Sequence, residues 1–253
     1  MNDIFNFSRF VKYAKSQLLL QRKLLLLTSS GGFLALFIFT LLFLGSSFNW
    51  REQNWTALFM TSGFIIAALI TGNAFPFLRN QKACQNALMI PASTLEKFVY
   101  EFALKIVVFS ILYPLLFQLM ASIAVPLIEF IRPDRTYIPF SFDPIINPGE
   151  EFYFTALLMG YLFTISLAFA GASAFRRSPL IKTVLFVGII ILLIIGYLYF
   201  IFEELHLNNG VEYALTNTFS EKSEAFSWFF FFLGISSLSS FTYAFFKLKE
   251  REA

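Results

Sequence analysis

The apolar and charged residues of this chain are separated into long blocks. Six runs of 20 to 27 residues contain no Asp, Glu, Lys or Arg; they cover 24–50, 53–78, 106–128, 152–175, 183–202 and 225–246. A bilayer core ~30 Å thick needs about 20 apolar residues in a helix that rises ~1.5 Å per residue. Each run is long enough to cross a membrane, and the pattern predicts six transmembrane helices.

The overall composition agrees with this pattern. Apolar residues make up 57% of the chain and charged residues 14%, and the mean hydropathy is +0.68. A soluble domain typically has about 25% charged residues. The runs also do not alternate apolar with polar positions, as the strands of a membrane barrel do. We therefore expect an all-α polytopic membrane protein that forms a single transmembrane domain over 1–253, with its six spans within 24–246.

A shorter amphipathic segment precedes the first run. In residues 1–23, apolar side chains recur at helical spacing while basic and polar side chains occupy the other side. The apolar residues are Ile4, Phe7, Val11, Ala14 and Leu18, and the basic ones are Arg9, Lys12, Lys15, Arg22 and Lys23. This pattern predicts an interfacial helix in the headgroup layer. The alternative is a basic tail that only sets the orientation of the chain.

Basic residues are distributed unevenly between the two sides of the predicted bundle. With the N-terminus in the cytoplasm, the cytoplasmic side carries 15 of the 19 Lys and Arg residues but only five of the 16 acids. The other side keeps Arg51, Arg132, Arg135 and Lys222. Because Lys and Arg concentrate in cytoplasmic loops, both termini are expected in the cytoplasm.

Two of the predicted extracytoplasmic loops have a distinctive composition. Loop 129–151 contains four prolines among several apolar residues, so it is neither a continuous helix nor a central strand. We expect its apolar side chains to pack across the outer end of the bundle. Loop 203–224 is acidic.

Several kinds of chemistry lack the residues that they need. Cys84 is the only cysteine and His206 the only histidine, so one chain cannot form a Cys-based zinc site or a bis-His haem site. No Gly is followed by Lys, which excludes a Walker A phosphate loop. We expect neither enzyme activity nor a cofactor or metal in this chain, and no nucleic-acid partner. Glu101 and Lys105, four residues apart at the start of the third span, are predicted to form a helical ion pair.

The segment 75–105, between the second and third runs, carries the most specific pattern: FPFLRNQKACQNALMIPASTLEKFVYEFALK. A short polar helix is predicted over about 78–88, and a proline ends it. Ser93 or Thr94 can cap a second helix with Glu96 in its first turn. The segment would form a stiff projection joined directly to two membrane helices, and such a projection can transmit force from a soluble partner.

Residues 88–97, LMIPASTLEK, resemble a motif of a known family. They are similar to the "LPxSxxEK" or "LPxSRxEI" sequence of the permease subunits of type-2 ATP-binding-cassette (ABC) exporters, which follows a coupling helix and precedes the third span. Residues 175–183, FRRSPLIKT, match the short basic loop that these permeases carry between spans four and five. The order of an interfacial helix, six spans and cytoplasmic termini is similar as well.

The resemblance implies a function and partners. In that family the coupling helix fits a cleft on a separate ATPase subunit, which binds ATP and Mg, and two ATPases move two permease halves. This chain would then be the transmembrane subunit of an exporter in the bacterial inner membrane, paired with a second permease chain. The scarcity of charge in the spans favours an amphipathic or lipid-like substrate.

The resemblance also implies which residues of the coupling segment, 78–97, meet the ATPase. Six polar residues would face it, two would fix the turn and two would start the third span. In that order they are Arg79, Asn80, Gln81, Lys82, Gln85 and Asn86, then Pro91 and Ser93, then Glu96 and Lys97. The segment is basic where many relatives have an acidic helix, which implies a partner cleft of altered charge.

Other interpretations of the same residues stay open at this point. Pro91 and Ser93 can end and cap helices in any membrane protein. A non-transporting scaffold, immunity protein or sensor subunit would have the same layout, and it would leave ATP hydrolysis by a neighbouring ATPase unchanged. A passive channel is disfavoured because the sequence lacks a pore-lining ring of charges.

Overall fold

The computed structural model describes residues 5–46, 50–79, 85, 89–133, 135, 137–146, 153–200 and 222–252. Within these residues the secondary structure is entirely helical, and six helices are long and apolar enough to cross a membrane, as the sequence predicted. The helices are α1 Phe7–Ser46, α2 Glu52–Gly72, α3 Thr94–Ile131, the short α4 Asp143–Ile146, α5 Tyr153–Ala174, α6 Pro179–Tyr199 and α7 Lys222–Glu252.

The first helix differs from the prediction. A separate interfacial helix over 1–23 is wrong, because α1 runs without a break from Phe7 to Ser46 and its membrane-spanning part is Leu25–Ser46. The stretch 17–27, QLLLQRKLLLL, consists of strong helix formers and contains no Gly or Pro, so nothing stops the helix between the two parts. Its 40 residues extend ~60 Å at ~1.5 Å per residue, about twice the thickness of the hydrocarbon core.

α3 is almost as long as α1 and lies parallel to it. It consists of an α-helical start, Thr94–Phe102, a π-helical section, Ala103–Val108, and a longer α-helical part, Phe109–Ile131. Arg9 contacts Glu96 where the two helices begin. Near their other ends, a Cβ placed on Gly45 would lie 3.9 Å from Ile128 Cδ1. The two helices therefore accompany each other across the whole bundle.

The remaining spans pack around α5, which contacts α2, α6 and α7. Two close approaches hold α6 in this group. A Cβ on Gly171 of α5 would overlap Thr183, and a Cβ on Gly72 of α2 would lie 2.6 Å from Leu180 Cδ1. Small residues at these positions let helix backbones approach closely, which is how membrane helices gain packing energy when the hydrophobic effect cannot hold them together.

The proline-rich connection between α3 and α5 folds back over the end of the bundle. Tyr137, Phe140 and Ile145 are buried in one apolar cluster with residues of α1, α2 and α3. The indole nitrogen Nε1 of Trp55 donates a hydrogen bond to the backbone oxygen of Ile138 at 2.7 Å. The predicted packing of this loop is confirmed for these residues. Its stretch 147–152 and the acidic stretch 203–221 lie outside the described residues.

Candidate coupling site

The predicted coupling segment meets the bundle where α1 and α3 begin and where α2, α5 and α7 finish. We call this the basic end, because its side chains include Arg9, Arg79, Lys97, Lys105 and Arg251. Two of these cations link one helix to the end of another. Lys105 Nζ donates a hydrogen bond to the backbone oxygen of Asn73, and Arg251 Nη2 donates one to the backbone oxygen of Ala174.

The start of α3 is fixed by a capping box. Ser93 is the N-cap, and its hydroxyl oxygen accepts a hydrogen bond from the backbone N–H of Glu96 at 3.3 Å. In return, the backbone N–H of Ser93 donates to Glu96 Oε2 at 3.0 Å. The reciprocal bonds satisfy two backbone donors that a helix N-terminus otherwise leaves unpaired. Of the two caps that the sequence allowed, the structure uses Ser93.

The same carboxylate also holds the beginning of α1. Glu96 Oε1 accepts a hydrogen bond from the backbone N–H of Asn6 at 2.9 Å. Arg9 Nε lies 2.9 Å from both carboxylate oxygens, and Arg9 Nη2 lies 2.8 Å from Oε1. The hydrogen bonds to Glu96 raise the pKa of Arg9 above its ordinary value, so this guanidinium keeps its charge. We refer to Asn6, Arg9, Ser93 and Glu96 as the Glu96 clamp.

The exposure of the clamp residues explains why the carboxylate needs so many donors. The Glu96 side chain is fully buried, whereas that of Arg9 is 30% exposed. A buried carboxylate is costly unless it is paired and hydrogen-bonded, because it loses the water that solvates its charge. Here two backbone N–H groups and one guanidinium replace that water. Charge-assisted bonds of this kind are about twice as strong as neutral ones.

An apolar contact continues the clamp along both helices. Tyr13 of α1 and Tyr100 of α3 lie one helical turn beyond Arg9 and Glu96, and their rings meet edge to face with centroids 5.5 Å apart. Both are buried, together with Ala92 in the connection before α3. The partly buried side chains that pack against these three are Phe10, Ala14, Ile90 and Leu104. The connection between α2 and α3 is thus packed directly against α1.

A second ion pair follows one turn further into α3. Lys105 Nζ lies 3.1 Å from Glu101 Oε2, and both side chains are nearly buried. The sequence predicted this pair, and the structure confirms it. Lys105 belongs to the π-helical section and also bonds the end of α2 through Asn73. π-Helical turns occur mainly as single inserted turns in α-helices, and they are frequent at functional sites.

The residues just after α2 are held close to that helix. Phe75 is fully buried in a left-handed backbone conformation, with φ 52° and ψ 54°, and its ring lies 4.9 Å from that of Phe169. A single 3-10 turn, Pro76–Leu78, follows. Arg79 is exposed, and its Nη2 donates to Asn73 Oδ1 at 2.7 Å. The coupling segment therefore leaves α2 through a tight turn that folds Arg79 back onto the helix end.

The structure brings some of the predicted docking residues together and leaves others undescribed. Ser93, Glu96 and Lys97 lie at the first turn of α3, with Glu96 and Lys97 buried. Gln85 and Pro91 are exposed on the connection. Asn80, Gln81, Lys82 and Asn86 lie outside the described residues.

The sequence did not identify Asn6 and Arg9 as partners of Glu96. The helical spacing places Arg9 on the polar side of an amphipathic helix and gives no indication of what it contacts. Its partner is 87 residues away along the chain, and no local spacing rule covers such a distance. The capping pattern around Ser93 was visible because all its groups lie within four residues.

Comparisons with known proteins do not add a relative to this description: no family model, curated protein or solved structure matches the chain. Within the described residues, no group of three His, Cys, Asp or Glu side chains could hold a metal ion.

Proposed function

We propose that this chain is the transmembrane subunit of an ATP-driven exporter, coupled through its segment 78–97 to a separate ATPase. The Glu96 clamp is the observation that carries the proposal. One buried carboxylate joins the end of the connection, the first turn of α3 and the start of α1. A displacement delivered to the connection therefore reaches two helices that cross the whole bundle.

The end of α2 completes this junction. Lys105 of α3 bonds the backbone of Asn73, and Arg79 bonds the Asn73 side chain. The described ends of the connection, 73–79 and 89–93, thus lie directly against α2 on one side and against α1 and α3 on the other. This is the arrangement that a membrane protein needs if a soluble motor is to move its helices. It supports the docking role that the resemblance to type-2 ABC permeases implies.

The substrate and the second subunit belong to the same proposal. We propose an amphipathic or lipid-like substrate, because the charged groups described in the spans lie near the ends of the helices rather than at mid-membrane. The apolar side chains of α6 are largely exposed in the single chain. Lipid and a second permease chain would cover them in the assembled transporter.

The proposal also sets the orientation: the basic end faces the cytoplasm. Fusions to the C-terminus test this directly. A fluorescent protein should be fluorescent there, since it folds in the cytoplasm, and alkaline phosphatase should be inactive, since it needs an oxidising compartment. Active alkaline phosphatase with a dark fluorescent protein would contradict the orientation.

Co-purification tests the ATPase partner. The chain is expressed together with a candidate phosphate-loop ATPase from the same genome and purified in detergent, and the co-eluting chains are identified. R79E/K82E should lose the ATPase, because the two substitutions reverse the charge of the docking segment. R176E/R177E is the matched control: it changes the charge by the same amount at two exposed residues of the same end, and it should keep the ATPase.

ATP hydrolysis separates the proposal from the alternative class. An exporter subunit should change the rate of hydrolysis by the ATPase when both are reconstituted in vesicles. A scaffold, immunity protein or sensor subunit would leave that rate unchanged. An unchanged rate together with unchanged co-purification of R79E/K82E would count against the coupling function.

A further inference from the structure

α3 changes its helix type between two longer stretches. Its first half, Thr94–Phe102, leads into the π-helical section Ala103–Val108, and the second half, Phe109–Ile131, follows. A π turn closes with i→i+5 hydrogen bonds and an α turn with i→i+4 bonds, so a π turn holds one residue more. A helix with one inserted residue can therefore keep both flanks in line by forming such a turn. α1, which runs beside α3, is α-helical throughout.

The two halves of α3 have separate hydrogen-bonded anchors. The first half is tied to the start of α1 by the buried carboxylate of Glu96. The second half is tied to α2 by Tyr113, whose hydroxyl donates to the backbone oxygen of Phe59. It is also tied to α5, because Ser110 Oγ lies 2.9 Å from the hydroxyl oxygen of Tyr161. The π-helical section is the part of α3 that lies between these anchors.

Few side-chain contacts hold the π-helical section itself. Ile106 is the only one of its six residues that is buried, and Val107 and Val108 are 44% and 40% exposed. Its polar links come from Lys105, which pairs with Glu101 and donates to the backbone oxygen of Asn73. Segments with few buried contacts open more easily than a packed core does. The backbone hydrogen bonds of this section can therefore rearrange at low cost.

We propose that the π-helical section is a joint, at which α3 exchanges between π and α hydrogen bonding when the Glu96 clamp moves. In the α form the residue that the π turn absorbs adds its own rotation, so the two halves turn by up to about 100° relative to each other. The neutral hydroxyl bonds of Ser110 and Tyr113 give way before the charge-assisted bonds of Glu96. The role in coupling rests on the proposed function, whereas the exchange between the two forms does not.

Amide hydrogen exchange in detergent, measured by mass spectrometry, tests the joint without any partner. In the unmodified chain the amides of 103–110 should exchange at least about tenfold faster than those of 115–125, because the joint opens locally. Deletion of Val107 leaves an α-helical count of residues, and it should slow the same amides to the rate of 115–125. Both chains are compared at the same depth in the bundle, so exposure to solvent does not explain the difference. Equal protection of the two stretches in the unmodified chain would overturn the inference.

Thermal unfolding tests whether the section is an inserted turn. Deletion of Val107 should leave Tm within about 5 °C of the unmodified chain, because both halves keep their alignment. Deletion of Leu116 is the matched control, since this residue is also apolar and is 41% exposed, but lies in the regular second half. It should lower Tm by more than about 10 °C, because it turns the buried residues beyond it by about 100°. Equal losses in the two variants would contradict an inserted turn.

The role in coupling is tested with the ATPase present. The chain without Val107 should retain co-purification but change the rate of ATP hydrolysis at least about fivefold less than the unmodified chain does. V107A keeps the number of residues and should keep the full response. A full response without Val107 would overturn the joint's role and leave the proposed function intact. An unmodified chain that leaves hydrolysis unchanged would overturn that role together with the proposed function, and the exchange rates would still decide whether the joint exists.

Discussion

At the scale of single residues, Glu96 does more than cap a helix. Its two oxygens accept bonds from its own capping partner Ser93, from the backbone of Asn6 and from the Arg9 guanidinium. Removing the negative charge would abolish the ion pair with Arg9 and would weaken each of the bonds that the carboxylate accepts. The cost should exceed that of an ordinary surface ion pair, because the carboxylate is fully buried.

E96Q tests this energetic role. Removing one member of a buried pair costs about 3–5 kcal/mol, but Arg9 is partly exposed and water compensates some of the loss. We expect a loss of about 2 kcal/mol in the free energy of unfolding, measured by denaturant titration in detergent. The double variant with R9Q should show a coupling energy of at least about 1 kcal/mol.

E250Q is the matched control for this prediction. Glu250 also pairs with a cation, Lys247 at 2.8 Å, but its side chain is 69% exposed. Its substitution should cost less than about 0.5 kcal/mol, as exposed ion pairs do. A loss for E96Q no larger than that for E250Q would show that the buried carboxylate is not a stabilising junction.

A hydroxyl inside the membrane gives a second test at this scale. Tyr113 OH donates to the backbone oxygen of Phe59 at 2.6 Å and lies 2.8 Å from Ser62 Oγ, which joins α3 to α2. Y113F should cost about 1 kcal/mol in thermal or denaturant unfolding, since hydrogen bonds between membrane helices are modest. Y243F, which removes the hydroxyl of an exposed tyrosine of α7, should cost close to nothing, and an equal loss in both variants would contradict the prediction.

At the scale of elements, the pattern of charges predicts where helices cross the membrane better than it predicts where they end. All six spans appear, because a charge-free run of 20 residues has few alternatives in a bilayer. The break expected near Lys23 does not appear, because an amphipathic stripe and a membrane span can share one helix when nothing between them breaks it. Helix boundaries depend on breakers and caps, and the stretch 17–27 has neither.

The contact between α5 and α6 is an element-scale prediction. At Gly171 a Cβ would overlap the Thr183 side chain, so the helices must separate or shift to accept G171A. Overpacking of this kind costs about 1–3 kcal/mol in unfolding free energy. G188A is the control, because Gly188 also lies on α6 and a Cβ there would have nothing within 4 Å. Its substitution should leave the free energy of unfolding unchanged or raise it by up to about 1 kcal/mol through helix propensity.

A second substitution checks the cause of that loss. T183A removes two of the atoms that the new Cβ at 171 would meet, so G171A/T183A should be more stable than the sum of the two single changes implies. Strictly additive losses would mean that the destabilisation does not come from contact between α5 and α6.

At the scale of the whole molecule, the local sequence pattern predicted individual residues at the start of α3 but not their contacts with α1. Ser93, Glu96 and the pair of Glu101 with Lys105 could be read from spacing within one helix turn. The partnership of Glu96 with Arg9 depends on α1 lying parallel to α3, and that follows from the packing of the whole bundle. This long-range contact turns a capped helix into a junction between the connection and two spans.

The junction leads to a prediction that separates docking from coupling. R9Q weakens the link between α1 and α3 but substitutes no residue of the coupling segment 78–97, so the ATPase should still co-purify. The reconstituted R9Q chain should change the rate of ATP hydrolysis by the ATPase at least about fivefold less than the unmodified chain does. Fivefold is about the smallest effect expected when two sites lose a typical coupling free energy. R79E/K82E should instead lose the ATPase itself. K12Q, a change of the same kind on the exposed face of α1, should retain both co-purification and the full response. A folded R9Q variant with an undiminished response would mean that motion reaches the spans by a route other than the Glu96 clamp.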